Sequence, residues 1–183
     1  MKQTVVVYRS KSGYTKQYAK WIAKALDADL FDGRDIPAGQ MKHYETVIYG
    51  AGLYTVGVSH LRWARTQLFK YPHQRKVVFV TGLSPDREEI QETIWRKHFR
   101  EKERRQWGLF YLRGGFDPDR LTVYDRFLIR LLKLKLEQKD SLTSDERGML
   151  VAYQQPTDFT RRGSIEPLVR YVRRESEDRQ PSL

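Results

Sequence analysis

The chain has 183 residues and a net charge of +11, so it can build one domain with a sizeable core and favours anionic partners. It has no cysteine, which excludes disulfides, thiol catalysis, cysteine-ligated zinc and iron–sulfur clusters. No apolar run approaches the roughly 20 residues that span a bilayer, and Met1-Lys2-Gln3 leads directly into a strand. We therefore expect no signal peptide and a cytoplasmic protein, either in solution or peripheral on the inner face of the membrane.

The first elements are a strand, a polar loop and a helix. Thr4-Val5-Val6-Val7 predicts a short buried strand, and apolar residues at helical spacing predict a helix from Tyr14 to Leu26. The loop between them is Tyr8-Arg9-Ser10-Lys11-Ser12-Gly13-Tyr14-Thr15. It therefore lies at a strand-to-helix turn.

This loop carries the residue types that hold a phosphate. The first N–H groups of a helix have no intrahelical partner, and the helix dipole favours an anion there. Ser10, Ser12 and Thr15 add hydroxyl donors, and Gly13 allows a close approach or a positive φ. The pattern lacks the Gly-Lys-Ser/Thr ending of a nucleotide triphosphatase loop and the three glycines of a dinucleotide fingerprint. The alternative is an ordinary polar turn with a threonine cap.

The rest of the chain alternates strands and helices. Continuous apolar strands of this kind indicate a parallel sheet that is covered on both faces, an open doubly wound α/β fold of five parallel strands. We expect a single domain over residues 1–174 and a flexible tail over 175–183. The further strands are predicted at 29–31, 46–52, 76–80 and 107–112, the helices at 60–69, 86–99, 118–136 and 164–174, and a loop or frayed helix end at 137–147.

Three loops fall at the carboxyl ends of predicted strands, where ligands of such sheets bind. They are Ser10–Thr15, Gly50–Thr55 and Thr81–Pro85. In this order they resemble the flavin-binding loops of the flavodoxins, which implies a flavodoxin-like sheet of order 2-1-3-4-5 and an FMN cofactor. The resemblance implies that the FMN phosphate is held by Ser10, Ser12, Gly13, Tyr14 and Thr15. It implies that the flavin ring is flanked by Gly52, Leu53, Tyr54 and Thr55, with Tyr54 as a stacking residue. It also implies that the pyrimidine edge of the ring lies near Thr81, Gly82 and Leu83. The alternative for Tyr54 is a surface loop tyrosine.

A second resemblance lies later in the chain. The segment 112–116, Leu-Arg-Gly-Gly-Phe, and the helix 124–132, which begins Tyr-Asp-Arg-Phe, are similar to the flavodoxin-like protoporphyrinogen dehydrogenases. These FMN proteins of haem biosynthesis pass electrons to a quinone, so the resemblance implies a quinone or another redox partner. Many flavodoxin-domain proteins of unassigned substrate share the Gly-Gly-Phe and the long helix, so the pattern favours the family more strongly than the substrate.

The long helix at 118–136 is both apolar and basic, which is typical of a helix in a membrane interface. Arg126, Arg130 and Lys133 are the candidate contacts to anionic lipid or to the carboxylates of a substrate. The alternative is a helix that packs on the sheet, or on a second subunit of a homo-oligomer, with its charges in solvent.

The sequence gives little support for a nucleic acid site, a metal site or a catalytic acid or base. The cationic run from Trp95 to Arg105 also contains Glu101 and Glu103, which suits a solvated helix, so we expect no nucleic acid partner. The four histidines are scattered, so we expect no metal, and we name no catalytic acid or base because the redox chemistry would reside on the flavin.

Three functions remain open: an FMN-dependent dehydrogenase, a flavodoxin-type carrier of single electrons, and a flavin-free scaffold. The basic charge and the extra helix count against a carrier, because soluble flavodoxins habitually have an acidic surface. The intact Ser10, Ser12 and Thr15 count against a scaffold.

Overall fold

The computed structural model describes residues 2–37, 39–54, 57–120, 123–139, 141–143, 146–148, 150, 153 and 156–177. Five strands run parallel in one sheet, and their order β2-β1-β3-β5-β6 confirms the predicted order 2-1-3-4-5. A sixth strand, β4, pairs antiparallel with the end of β3. The strands are β1 (Thr4–Arg9), β2 (Asp29–Asp32), β3 (Thr46–Tyr54), β4 (Gly57–Val58), β5 (Arg75–Gly82) and β6 (Gly108–Arg113).

Helices cover both faces of this sheet, as predicted. One face carries α1 (Tyr14–Leu26) and α6 (Glu166–Glu177). The other carries α2, an α-helical turn at Leu61–Trp63 that continues as a π-helical turn at Ala64–Leu68, together with α3 (Glu88–His98) and α4 (Glu101–Gln106). Short 3₁₀ turns lie at Gln40–His43 and Arg162–Ile165.

The continuous apolar runs exist because the strands bury both of their faces. In β1, Val6 faces the α1 and α6 layer, while Val5 and Val7 face the α2 layer, and all three are fully buried. The α6 helix is also tied by polar contacts. Arg75 donates to the Val172 carbonyl at 2.7 Å, and Arg173 donates to the Ala25 carbonyl at 2.7 Å.

An excursion leaves the sheet after β6 and returns to it. It begins with β7 (Gly115–Phe116) and a 3₁₀ turn at Pro118–Arg120, and continues as α5 (Val123–Glu137). It returns as β8 (Thr157–Asp158), which pairs antiparallel with β7. The excursion is therefore closed by a small two-stranded ladder beside the carboxyl end of β6.

Several boundaries differ from the sequence predictions. Within the helix predicted at 118–136, Pro118–Arg120 form a 3₁₀ turn in which Asp117 accepts the Asp119 N–H at 3.0 Å, and the described α-helix is Val123–Glu137. Residues 146 and 147 are helical within the stretch 137–147 that was predicted as a loop or frayed end. The last helix extends to Glu177, and residues 178–183 of the predicted tail lie outside the described residues. In the described ranges, no helix combines the length and the apolar character needed to cross a membrane.

The α6 helix is required to close one face of the sheet, and this can be tested at Leu168, which is fully buried. We expect Leu168→Ala to lower the free energy of unfolding by about 2–5 kcal/mol, because it removes a packed side chain and leaves a cavity. Urea denaturation measures this. Arg170→Ala, an exposed position on the same helix, should change stability by less than about 0.5 kcal/mol. Equal effects at the two positions would contradict the packing of α6 on the sheet.

Candidate functional site

The loop after β1 ends in a glycine that shapes the start of α1. Gly13 has φ +93° and precedes the helix, a conformation that side chains rarely adopt. Its N–H donates to Ser10 Oγ at 3.0 Å, and its carbonyl accepts the first helical bond from Gln17 N–H at 3.0 Å. Helix geometry therefore leaves the N–H groups of residues 14–16 without an intrahelical partner, which is the arrangement that binds an anion.

The end of β3 approaches this loop through Tyr54. Its hydroxyl accepts the Lys11 N–H at 3.3 Å, and the Lys11 ammonium lies 4.9 Å from the centre of its ring. The hydroxyl end of the ring lies over Gly52, where a Cβ would stand 2.7–2.8 Å from ring atoms and the hydroxyl. Gly52 is therefore needed for Tyr54 to reach the first loop.

The end of β5 meets the same loop beneath its surface. Thr15 Oγ1 and Thr81 Oγ1 are 2.6 Å apart and form a hydrogen bond in which either can donate. Both residues are buried, and Thr81 Oγ1 also lies 3.4 Å from the Ala51 carbonyl. The hydroxyl of Thr15, predicted as a phosphate donor, thus contacts the third loop in this structure.

The third loop is braced by the end of β6. The Gly82 carbonyl accepts the Gly114 N–H at 2.7 Å, and the Leu83 carbonyl accepts Arg113 Nε at 3.2 Å. The Arg113 guanidinium in turn lies 3.6 Å from the centre of the Phe159 ring. The carbonyls of Gly82 and Leu83 are therefore held toward β6.

The side chain of Tyr14 belongs to the packing of the excursion. It is buried, and its hydroxyl donates to the Thr157 carbonyl at 3.1 Å on β8. Burial, with smaller effects from nearby charges, raises the pKa of this hydroxyl. At this position the main-chain N–H, at the start of α1, remains the group available to an anion.

The structure thus brings the first, second and third predicted loops to one edge of the sheet. Thr55 lies outside the described residues. On α5, Arg126 and Arg130 are exposed, and Lys133 lies 3.8 Å from Glu137. The donor set fits an anion, and the space beside Gly13 and Gly52 is taken by the Arg120 guanidinium and the Tyr54 ring.

Arg120 is the site residue whose position the sequence did not indicate. It falls within the helix predicted at 118–136, but it lies in the 3₁₀ turn before α5. Its Nη1 donates to the Ser12 carbonyl at 2.9 Å, and its guanidinium lies 6.0 Å from the Tyr14 ring centre. The two segments are more than 100 residues apart in sequence, so no local pattern signals the contact.

A second polar cluster at the sheet edge was also not predicted. Arg9 Nη2 lies 3.0 Å from His60 Nε2, and Ser59 Oγ lies 2.6 Å from His60 Nδ1. Because a guanidinium can only donate, Nε2 accepts, and His60 is neutral with its proton on Nδ1 toward Ser59. Burial, followed by the charges of Arg9 and Lys11, lowers the pKa of His60 and favours this neutral form.

The chain is similar in sequence to one protein family and in structure to several solved proteins. The sequence model of the Flavodoxin domain family matches residues 5–143. An archaeal flavodoxin structure is 18% identical and covers 72% of this chain and 93% of that chain, with a TM-score of 0.44. Flavodoxin 1 from Bacillus cereus is 15% identical over 71% and 97% of the two chains, with a TM-score of 0.41. An NAD(P)H:quinone oxidoreductase from Methanothermobacter marburgensis is 11% identical over 76% and 98%, with a TM-score of 0.44. No curated protein sequence matches the chain.

The contact between Thr15 and Thr81 makes a prediction about the site's stability. We expect Thr15→Val and Thr81→Val each to lower the free energy of unfolding by about 1–3 kcal/mol, because each leaves a buried hydroxyl without this partner. The double variant should lose less than the sum of the two, by about 0.5–1.5 kcal/mol. Denaturant unfolding of the four proteins measures this coupling.

Thr93→Val combined with Thr15→Val is the control, because Thr93 is exposed on α3 and bonds the Glu89 carbonyl of its own helix. That pair should be additive. Additive losses for Thr15 and Thr81 would show that the hydroxyl contact does not join the two loops.

Proposed function

Because this chain belongs to the flavodoxin-domain family, which binds flavin, we propose that it binds FMN at the three loops and acts as an FMN-dependent oxidoreductase. The observation that carries the proposal is the pair of bonds that joins the loops. The Lys11 N–H donates to the Tyr54 hydroxyl at 3.3 Å, and the hydroxyl oxygens of Thr15 and Thr81 are 2.6 Å apart and hydrogen-bonded. These contacts hold together the segments that a flavin mononucleotide would need.

Each loop has a distinct task in this proposal. The start of α1, with Ser10 and Ser12, receives the phosphate through N–H and hydroxyl donors. Tyr54 lies against one side of the ring system, where an offset aromatic pair adds about 0.5–1.5 kcal/mol beyond burial. Thr81, Gly82 and Leu83 border the pyrimidine edge. When bound, FMN would supply hydride or electron transfer.

We propose further that the enzyme oxidises a reduced organic substrate of the protoporphyrinogen type and passes the electrons to a quinone. The support is the sequence resemblance over residues 112–116 and 124–132, together with the character of α5. The alternative is a flavodoxin-type carrier without a substrate of its own. Turnover of a reduced porphyrin with a quinone analogue would favour the enzyme, and electron transfer between redox proteins without such turnover would favour the carrier.

A quinone acceptor lies in a membrane, and the outer face of α5 suits a membrane surface. Four apolar residues spaced four, four and three apart form one stripe, with exposures between 48% and 85%. Arg126 and Arg130 are exposed beside this stripe, whereas Leu136 is buried on the inner side. The stripe consists of Val123, Phe127, Leu131 and Leu134. An apolar stripe flanked by cations favours the interface of anionic lipid.

The cofactor proposal predicts a flavin spectrum. Purified protein, with FMN added to any apoprotein, should show two visible bands that shift on binding. Ser12→Glu should abolish this binding, because it places a carboxylate where the dianionic phosphate would lie. Titration followed by the quenching of FMN fluorescence measures the affinity.

Two variants control for size and for charge. Ser12→Gln has nearly the volume of Ser12→Glu without its charge and should weaken binding less. Ser141→Glu adds the same charge at an exposed position that belongs to none of the three loops and should leave binding unchanged. Retention of FMN by Ser12→Glu would contradict the assignment of the phosphate to this loop.

The membrane proposal predicts binding to anionic vesicles. The protein should sediment with phosphatidylglycerol-containing vesicles and less with pure phosphatidylcholine, and salt should weaken the binding. Reversal of Arg126, Arg130 and Lys133 to glutamate should release it. The same reversal at Lys97, Lys102 and Arg104, all exposed on α3 and α4, changes the net charge equally and should have a smaller effect.

Equal loss in the two triple variants would point to net charge alone rather than to α5. Failure of the wild-type protein to sediment with either vesicle would reject the membrane contact. In that case size-exclusion chromatography tests whether α5 packs on a second copy of the chain instead.

A further inference from the structure

We infer that Arg120 is the charged ligand of the phosphate group that the loop after β1 receives, a role that rests on the proposed function. A phosphate monoester carries nearly two negative charges at neutral pH. Ser10 and Ser12 in the loop are neutral donors. Full positive charge near the start of α1 must therefore come from cationic side chains, which are Arg9 and Lys11 within the loop and any that reach it from other segments.

Arg120 reaches this point. Its Nη1 is 2.9 Å from the Ser12 carbonyl and 3.1 Å from the position that a Cβ on Gly13 would take. Gly13 is the residue immediately before α1, so the guanidinium stands beside the helix start. Any side chain at Gly13 would crowd Arg120, in addition to the strain at φ +93°. The glycine thus leaves room for the guanidinium as well as for the turn.

The guanidinium is also oriented. Asp117 Oδ2 lies 2.9 Å from Arg120 Nε, and Asp117 Oδ1 accepts the Asp119 N–H at 3.0 Å, so one carboxylate both caps the turn and holds the arginine. This ion pair offsets part of the positive charge. It occupies the Nε edge, however, and the Nη edge carries the donor that contacts the loop. A guanidinium has further N–H groups on its two Nη atoms, which suit a phosphate oxygen.

The other cations near the loop are directed to different groups. The Lys11 ammonium lies 4.9 Å from the Tyr54 ring centre, and the Arg9 guanidinium lies 3.0 Å from the His60 ring nitrogen. Lys11 lies at the end of β3, and Arg9 lies against His60 and beside Gly33, which follows β2. Arg120 approaches from the excursion, on the side where Tyr14 contacts β8. It is therefore the cation best placed to meet a phosphate from that side.

Arg120→Gln tests the inference through the difference between FMN and riboflavin, which lacks the phosphate. We expect about tenfold weaker binding of FMN, the loss typical of one charge-assisted hydrogen bond, and less than about twofold change for riboflavin. Arg120→Lys keeps the charge without the planar fork and should fall between. Arg104→Gln, an exposed arginine on α4, should bind both flavins as the wild type does. The affinity of the wild type for FMN should also fall more steeply with salt than that of Arg120→Gln.

The other outcomes are equally clear. An equal loss for FMN and riboflavin would make Arg120 a residue that only positions the loop, and no loss for either would remove it from the site. Both results would overturn the inference and leave the proposed function intact.

If the wild type binds neither flavin, the proposed function fails, and inorganic phosphate becomes the probe. A rise in melting temperature with phosphate that Arg120→Gln abolishes would then support Arg120 as the phosphate ligand. No rise in the wild type would overturn it.

Discussion

The site depends on the small residues at the end of the central strand. Gly50, Ala51 and Gly52 occupy β3 between β1 and β5, and the Phe79 ring fills the space over Gly50. Thr15 meets Thr81 at 2.6 Å across the end of β3. Because Gly52 has no side chain, the hydroxyl end of the Tyr54 ring can lie over it. One short stretch without bulk thus allows all three loops to meet.

The excursion adds a second wall to this edge. β7 and β8 pair beside β6, and the Tyr14 hydroxyl donates to the Thr157 carbonyl at 3.1 Å, so the returning chain packs on the first residue of α1. The turn that carries Arg120 leaves from the same ladder. The helix that exposes an apolar stripe is therefore joined, through a few residues, to the loop that would hold the cofactor. The turn at Pro118–Arg120 thus contacts the loop through Arg120 and precedes α5 in the chain.

Sequence patterns predicted the elements whose signals are local. The apolar runs predicted the five parallel strands, and α1 begins and ends at the predicted Tyr14 and Leu26 because Gly13 and the apolar stripe define it. The helix predicted at 86–99 ends close to the end of α3, but α4 was not predicted, since its start depends on Glu103, which accepts the Arg100 N–H and pairs with Arg65 at 2.6 Å. The contact of Arg120 with Ser12 joins segments with no common pattern. The contacts of Glu103 with Arg65 and of Arg120 with Ser12 were not predicted because they join residues far apart in the sequence.

The two basic stretches of the chain differ in what surrounds their charges. On α3 and α4, Arg96 pairs with Glu92 and Arg105 pairs with Glu101, each one helical turn away. Such cations are partly neutralised within their own helix. On α5 the exposed Arg126 and Arg130 stand instead beside an exposed apolar stripe. Charge next to apolar surface is suited to an interface between water and lipid, whereas charge next to carboxylates is suited to water alone. The net charge of +11 therefore indicates less about the partner than the groups that surround each cation.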